Sequence, residues 1–161
     1  MLNEFLPELE VVEVNRCDEA FQFICHGKQS CAPCPHCTKS SHRVHSRYIR
    51  TLNDECVFGY DVQLRLQARR FFCDEPSCPS SIFTERFPSL CRPHSRRTIR
   101  LERGLLRLLS GMSAIGLERI LNNISDSTLL RLLKRSQHHR KTPNPRVVGI
   151  DDWAWRKRKK Y

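Results

Sequence analysis

Residues 31–37 read CAPCPHC, and residues 71–81 read FFCDEPSCPSS. A CxxC pair brings two thiolates together on one tight turn, and a second pair can complete a tetrahedron around one metal ion. Prolines beside both pairs favour turns at both places. These two stretches decide the fold that we expect, a small module built around four sulfur atoms. The four sulfurs belong to Cys34, Cys37, Cys73 and Cys78.

The ligand set is open at this stage. Cys31 and Cys34 also form a CxxC pair, and His36, His42 or His45 could replace a thiolate. The second pair has four residues between its cysteines, slightly loose for a metal-binding knuckle. Buried free thiols are the alternative interpretation, since cysteine is often a small core residue. That alternative is preferred for the cysteines that stand alone: Cys17, Cys25, Cys56 and Cys91.

The cellular compartment decides whether the paired cysteines bind zinc or form disulfides, because thiols stay reduced in the cytosol. The N-terminal stretch MLNEFLPELEVVEVN is acidic where a signal peptide is basic, and it lacks a continuous apolar region. No stretch approaches the roughly 20 apolar residues of a membrane span. We therefore expect a cytoplasmic protein without a membrane partner. Its thiols would be reduced, which favours zinc as the cofactor.

Two strands are predicted between the cysteine pairs, over residues 42–52 and 58–73. Apolar and polar residues alternate from Val62 to Arg69, the period of a strand with one wet face. The alternation breaks over residues 70–72, which predicts a bulge in the second strand that delivers Cys73 to the metal. The sequence thus predicts a β-hairpin with a cysteine pair at each end, the layout of a zinc ribbon.

A helical period begins after residue 95. Ser95 is the predicted start of a first helix and Gly111 its predicted end. One face of this helix is apolar, with leucine or methionine spaced at helical intervals. That face consists of Leu101, Leu105, Leu108, Leu109 and Met112.

Two further short helices follow. Ser113 is placed to cap a helix that ends at Leu121, and Ser125 to cap one that runs to about Gln137. A tight polar turn between two such helices is typical of a helix-turn-helix, although a helical hairpin of a bundle has the same pattern. The expected core anchors of the second helix are Leu129, Leu130, Leu132 and Leu133.

The charge distribution favours a polyanionic partner. The chain carries a net charge of +11, and residues 92–141 hold twelve basic and only three acidic side chains. Arginine predominates there, and its guanidinium group binds phosphate oxygens in pairs. A solvated charged face is the alternative. The residues expected to contact DNA are Arg96, Arg97, Arg100, Ser127, Thr128, Arg131, Lys134 and Arg135.

The C-terminal segment changes character again. Residues 138–146 contain two prolines and no periodic pattern, which indicates a linker. Behind it, residues 147–155 read VVGIDDWAW, which predicts a buried strand ending in acidic residues. A carboxylate in that position often faces a catalytic metal in α/β domains. The basic run at residues 156–160 is either a cationic tail that adds phosphate affinity or a solvated surface.

Taken in order, these strings resemble the ISL-three family of insertion-sequence transposases. The resemblance rests on CPHC, RRFFCDEPSC, IFTERFPSL, STLLRLLKR and TPNPRVVGIDDWAWRKRKKY. It implies a four-cysteine zinc module and a helix-turn-helix that bind the terminal inverted repeats of the element. It further implies an RNase H-like domain in which two aspartates and a glutamate hold two divalent ions. By position in the motif, Asp151 matches the first of these acids, with Asp152 as the alternative.

The resemblance also implies an incomplete catalytic domain. Two-metal chemistry needs several carboxylates around two ions, and the second aspartate and the glutamate do not follow Tyr161. We therefore expect no strand transfer by this chain alone, and magnesium only if the domain were complete. One alternative is an active transposase split by a frameshift, with the missing acids encoded downstream. Another is a zinc-ribbon adaptor that binds protein or RNA.

The expected fold class is α+β. It comprises a β-rich leader at 1–30, a zinc-ribbon-like module at 31–91, an all-α helix-turn-helix module at 92–137, a linker at 138–146 and an incomplete RNase H-like first strand at 147–161. The expected partner is double-stranded DNA, and a homodimer is kept as an option because the sequence does not define the oligomeric state.

Overall fold

A long antiparallel hairpin organises the structure. In the computed structural model, which describes residues 6–18, 20–121 and 123–137, strands β5 (Val44–Val57) and β6 (Tyr60–Phe72) pair along their length. Phe58 and Gly59 form the connection, and both have positive φ angles, 52° and 82°. Two consecutive residues of this kind match the twist of paired strands. The predicted hairpin is confirmed, with the first strand extending five residues further than expected.

The leader of the chain joins the same sheet. Strands β1 (Leu9–Cys17) and β2 (Ala20–Gly27) form a second hairpin, and β2 pairs with β6 in parallel. The sheet order is β1-β2-β6-β5, with a short β7 (Ile82–Thr84) paired to the end of β6. Because β6 lies between β2 and β5, both of its edges are paired, and the side chains of its apolar face, Val62, Leu64, Leu66 and Ala68, are buried. That face packs in a core with Leu6, Leu9, Cys25, Leu52, Phe87, Leu90 and Cys91.

The predicted bulge in β6 is wrong. The register shifts instead in β5, between Val44 and Ser46, opposite Phe71 and Arg70. Phe71 keeps the period of two but lies on the face opposite Ala68, where it is buried in a separate small cluster. The apparent break in the pattern arises because the buried side changes at the end of β6: Phe71 is buried, whereas Arg70, on the same face as Ala68, is exposed.

Three helices occur among the described residues: α1 (Ile99–Leu109), α2 (Ala114–Leu121) and α3 (Asp126–Gln137). The described fold is therefore mixed α+β and rich in strands. Thr98, rather than the predicted Ser95, caps α1 by accepting a hydrogen bond from the Leu101 N–H. Ser113 accepts from the Gly116 N–H at the start of α2. Within the described ranges, none of the helices is long and apolar enough to span a membrane.

The helices share one apolar core, which differs in part from the predicted one. Leu108 and Leu130 are each 45% exposed, and Met112 is also exposed. The helix α1 ends at Leu109 and a turn follows, so Met112 no longer continues the helical stripe. The buried residues of this core are Leu105, Leu117, Ile124, Leu129 and Leu132.

Candidate metal centre and nucleic-acid interface

The first cysteine pair lies on a turn between two very short strands. Strands β3 (Ala32–Pro33) and β4 (Ser40–Ser41) pair and hold residues 34–39 as their connection. The Cys34 N–H donates to the Lys39 carbonyl at 2.9 Å, and the Thr38 N–H donates to the Cys34 carbonyl at 2.9 Å. Thr38 has a φ of 62°, which closes the turn. Both thiols of this pair are thereby carried on one rigid knuckle.

The second pair lies between β6 and β7. The Cys73 N–H donates to the Ser81 carbonyl at 2.8 Å, and the Cys78 N–H donates to the Glu75 carbonyl at 3.0 Å. The four residues between these cysteines, loose for a knuckle by sequence, thus fold back as a second turn. The Phe72 N–H donates to the Arg43 carbonyl at 2.9 Å and ties this turn to the first.

The four sulfur atoms form a compact group. Their separations are all within 4.8 Å, with 3.8 Å between Cys34 and Cys78 and 3.5 Å between Cys37 and Cys73. A tetrahedron with Zn–S bonds of about 2.3 Å has S···S edges of about 3.8 Å. A disulfide would need about 2.05 Å. The four cysteines therefore fit zinc binding, and they could hold the ion with four thiolates and no open position.

A small apolar cluster supports the site. Ala32, Cys34, Phe71 and Phe83 are buried together, and the other three cysteines pack against them. The rings of Phe71 and Phe83 stack with centroids 5.8 Å apart. This cluster holds the sulfurs in place on one side, while Cys37, Cys73 and Cys78 keep partial exposure.

The thiols differ in acidity. Burial opposes ionisation of Cys34, but the backbone N–H groups of Cys37 and His36 outweigh it and lower the Cys34 pKa to about 7. The Glu75 N–H favours the thiolate of Cys73, but desolvation and the neighbouring thiols outweigh it and raise the Cys73 pKa to about 12. Close thiols cannot all ionise together because like charges repel. A bound cation would supply the charge that lets all four release their protons.

Two ion pairs join the knuckles outside the sulfur group. Lys39 pairs with Glu75, and Arg43 pairs with Asp74 at 3.1 Å. The hydrogen bond with Lys39 lowers the pKa of Glu75 to about 2, and the same bond raises the pKa of Lys39. The first pair links the first cysteine turn to the second, and the other links Arg43, just before β5, to the second turn.

The alternative ligands lie outside the sulfur group. Of the described residues, the potential metal-binding cluster contains Cys34, Cys37, Cys73 and Cys78 alone. Cys31 is a half-buried free thiol. His45 instead packs edge-on against Phe72, with ring centroids 4.9 Å apart, and its Nδ1 is hydrogen-bonded to Ser46.

Comparison with known proteins points to the same segment. Residues 31–78 match the family described as the zinc-finger of transposase IS204/IS1001/IS1096/IS1165. The segment is similar to a transposase-type zinc ribbon. It begins at Cys31 and ends at Cys78, so it includes both knuckles and the β5–β6 hairpin between them. No curated protein and no solved structure matches the chain.

Five of the eight predicted DNA-contact residues line one cavity of about 460 Å³. The cavity lies between the loop at residues 92–97, which leads into α1, and α3. It also contains Arg92 and the buried carboxylate Glu102, which form an ion pair at 3.0 Å. The predicted residues that line it are Arg96, Arg97, Thr128, Arg131 and Arg135.

The other three predicted contacts lie elsewhere. Arg100 forms a two-point ion pair with Asp54, whose carboxylate is 4% exposed. Its guanidinium group therefore attaches α1 to β5. Ser127 and Lys134 are exposed on α3 and are not among the residues lining the cavity. Asp151, Asp152 and the rest of the predicted catalytic strand lie outside the described residues.

Sequence reasoning missed the residues that hold the loop in place. Arg50 donates to the carbonyls of Arg92, at 3.3 Å, and of Ser95. The buried Asp54 accepts from the Thr98 hydroxyl at 2.6 Å as well as from Arg100. The one available signal in the sequence was the charged residue Asp54. It lies two residues after Leu52, so the alternation of the strand places both side chains on the same, buried face.

Proposed function

We propose that this chain is the DNA-binding N-terminal portion of an insertion-sequence transposase and recognises element-end DNA. One observation carries the proposal. The four thiols that fit a zinc tetrahedron fall in the segment that matches the transposase zinc finger. In this proposal Cys34, Cys37, Cys73 and Cys78 are the zinc ligands, and zinc has a structural role because four protein ligands leave no position for water.

The helices supply the second part of the proposal. The helices α2 and α3 are short, are joined by a tight connection and share a buried core with α1, as in a helix-turn-helix. The second helix of such a unit enters the major groove and contacts bases from its N-terminal half. Ser127, Thr128 and Arg131 occupy that half of α3. We assign them to base and nearby phosphate contacts, and Lys134 and Arg135 to flanking phosphates.

Binding to tiled genomic DNA tests the function. Duplexes of about 30 base pairs should be taken from both flanks of the reading frame and compared with shuffled duplexes of the same composition. We expect one inverted pair of duplexes to bind about 1,000-fold more tightly than the shuffled set at physiological salt. Sizing of the complex shows whether one chain or a dimer binds each end. Equal binding to all duplexes, or preference for RNA of the same sequence, contradicts the proposal.

A zinc-dependence control belongs with that assay. Removal of zinc by a chelator should abolish the specific complex, and added zinc should restore it, because the finger loses its fold without the metal. The exposed Cys17→Ser variant should behave as the unaltered chain does. If specific binding is unchanged by the chelator, DNA recognition does not depend on the metal site.

A further inference from the structure

The loop at residues 92–97 separates two open cavities. On the α3 side lies the cavity of about 460 Å³ described above. On the sheet side lies another of about 610 Å³, lined by residues of β5 and β7, by Arg86 and by the loop itself. His94, Ser95 and Arg96 line both cavities. We call these two cavities, together with the three residues that line both, the groove; it extends from the sheet, past the loop, to α3.

The groove has an excess of positive charge. The α3 side alone contains five guanidinium groups and one carboxylate, a formal net charge of +4. Glu102 is engaged by Arg92. No hydrogen bond or ion pair made by the side chains of Arg96 or Arg135 occurs within the described ranges. The buried Nε of Arg97 has no acceptor among the residues that the structure describes. A buried donor without an acceptor is costly, so a bound anion would stabilise this arrangement.

The loop is held rigidly by the sheet. The Asn53 N–H donates to the Arg96 carbonyl at 2.9 Å, and the Thr98 N–H donates to the Asn53 carbonyl at 3.0 Å. The Ser95 hydroxyl accepts from the Arg97 N–H at 3.1 Å, and Arg50 donates to two loop carbonyls. The backbone that carries the loop arginines is thus held in place before any ligand binds, which lowers the entropic cost of binding.

We infer that this groove holds consecutive phosphates of one strand of the bound DNA duplex. The inference rests on the proposed function and deepens it by assigning the phosphate contacts to a groove shared by the sheet and α3. The net charge of the groove favours a strand of nucleic acid over a small anion as the ligand. A phosphodiester carries one negative charge, so a net charge of +4 matches a run of about four phosphates better than it matches a single free one.

Paired charge-removal variants test the groove. The first is Arg96→Ala with Arg135→Ala, and the matched control is Arg103→Ala with Arg107→Ala, two exposed arginines on the outer face of α1. The probe is a fluorescein-labelled duplex of random sequence and 24 base pairs, because phosphate contacts do not depend on sequence. Affinity is measured from 50 to 200 mM salt, with circular dichroism as the check on folding.

The groove variant should lower the slope of log K against log salt by roughly 1.8, about 0.9 for each lost phosphate contact. Its affinity at 0.1 M salt should fall by roughly tenfold or more, whereas the control should change by less than about threefold. Equal losses in the two double variants would overturn the inference while leaving the proposed function intact. Absence of duplex binding by the unaltered chain would instead overturn the proposed function.

A third variant is expected to act in the opposite direction. Glu102→Gln removes the negative charge from the groove and keeps a side-chain oxygen for Arg92. We expect a steeper salt slope and an affinity about threefold higher, because one more guanidinium charge is available to phosphate. Unchanged or weaker binding by a folded Glu102→Gln protein would count against the groove. Tighter binding of an RNA duplex of the same sequence would overturn the assignment to DNA.

Discussion

The zinc ribbon and the helical region achieve stability in different ways. Around the sulfur group, the buried cluster contains four residues, Ala32, Cys34, Phe71 and Phe83. The helices bury five aliphatic side chains, with five more packed against them. A cluster as small as the first cannot offset the entropy of ordering two turns, so a metal has to supply the difference. The helical core needs no such ligand because its stability comes from apolar burial.

The largest expected effect tests whether the two cysteine turns depend on a bound metal for their stability. Cys34→Ser should reduce zinc content from one ion per chain to none and unfold the two cysteine turns, at residues 34–39 and 73–78, while the β5–β6 hairpin keeps its place in the main apolar core. Metal binding supplies about 10–16 kcal/mol of apparent free energy in zinc-finger peptides. Elemental analysis gives the zinc content, and hydrogen exchange shows which segments lose protection. The control is Cys56→Ser, an exposed thiol on β5. Full zinc occupancy in Cys34→Ser would show that the ligand set is different.

The next effect concerns the ion pair that attaches the first helix, α1, to strand β5. Asp54→Ala removes the acceptor of Thr98 and Arg100, leaving a half-buried guanidinium group without its carboxylate. Breaking such a pair from one side should lower the free energy of unfolding by about 4 kcal/mol. Urea denaturation measures the loss, and Glu13→Ala, at an exposed position of β1, serves as the control. A loss below about 1 kcal/mol would mean that apolar packing alone attaches α1 to the sheet.

A smaller effect tests the helical side. Leu129→Ala empties a position that is 0% exposed and should cost about 3 kcal/mol, from lost transfer free energy and the cavity left behind. Leu130→Ala, its exposed neighbour, should cost much less. Zinc content should stay at one ion per chain in both variants. Loss of zinc from Leu129→Ala would show that the two regions do not fold independently of each other.

The smallest effect is a gradual change of zinc affinity with pH. Zinc and protons compete for the same sulfurs, so the apparent zinc affinity should fall as the pH is lowered from 8 to 6. Cys34, with a pKa of about 7, loses its thiolate in this window, while Cys73, with a pKa of about 12, must release a proton throughout. We expect at least a tenfold loss per pH unit, about 1.4 kcal/mol. Chelator competition measures it, and a flat profile would contradict four-thiolate ligation.

Local spacing made the sulfur site predictable from sequence. Two cysteine pairs with flanking prolines fix short turns, and the alternation from Val62 to Ala68 fixes which face of β6 is buried. The Ser113 cap of α2 is a local signal of the same kind, whereas the Ser125 hydroxyl, the predicted cap of α3, is hydrogen-bonded to the hydroxyls of Ser127 and Thr128. Each of these features depends on residues fewer than about five positions apart, and this is why the pattern survives in the fold.

Tertiary arrangement could not be predicted in the same way. Nothing near Asp54 in the sequence indicates that Thr98 and Arg100 will bind it from 44 and 46 positions away. The predicted apolar stripe of α1 included Leu108, which is exposed because α2 and α3 cover a different face. Ser127 and Thr128 were predicted as DNA contacts from their place on the second helix of the helix-turn-helix. The arginines of the set were predicted from charge, and charge alone could not separate Arg100, which holds the fold together, from the arginines of the groove.

The parallel pairing of β2 with β6 has a consequence for the order of folding. Ala20 pairs with Asp61, so β2 has no place to dock until β6 has formed, whereas β5 and β6 close over a two-residue turn. During synthesis β2 leaves the ribosome before β6, and we expect it to reach its place in the sheet only after the β5–β6 hairpin has formed. Until then the unpaired edge of β6 can form hydrogen bonds with strands of other chains. Early zinc binding at the two cysteine turns would shorten the time during which such aggregation can occur.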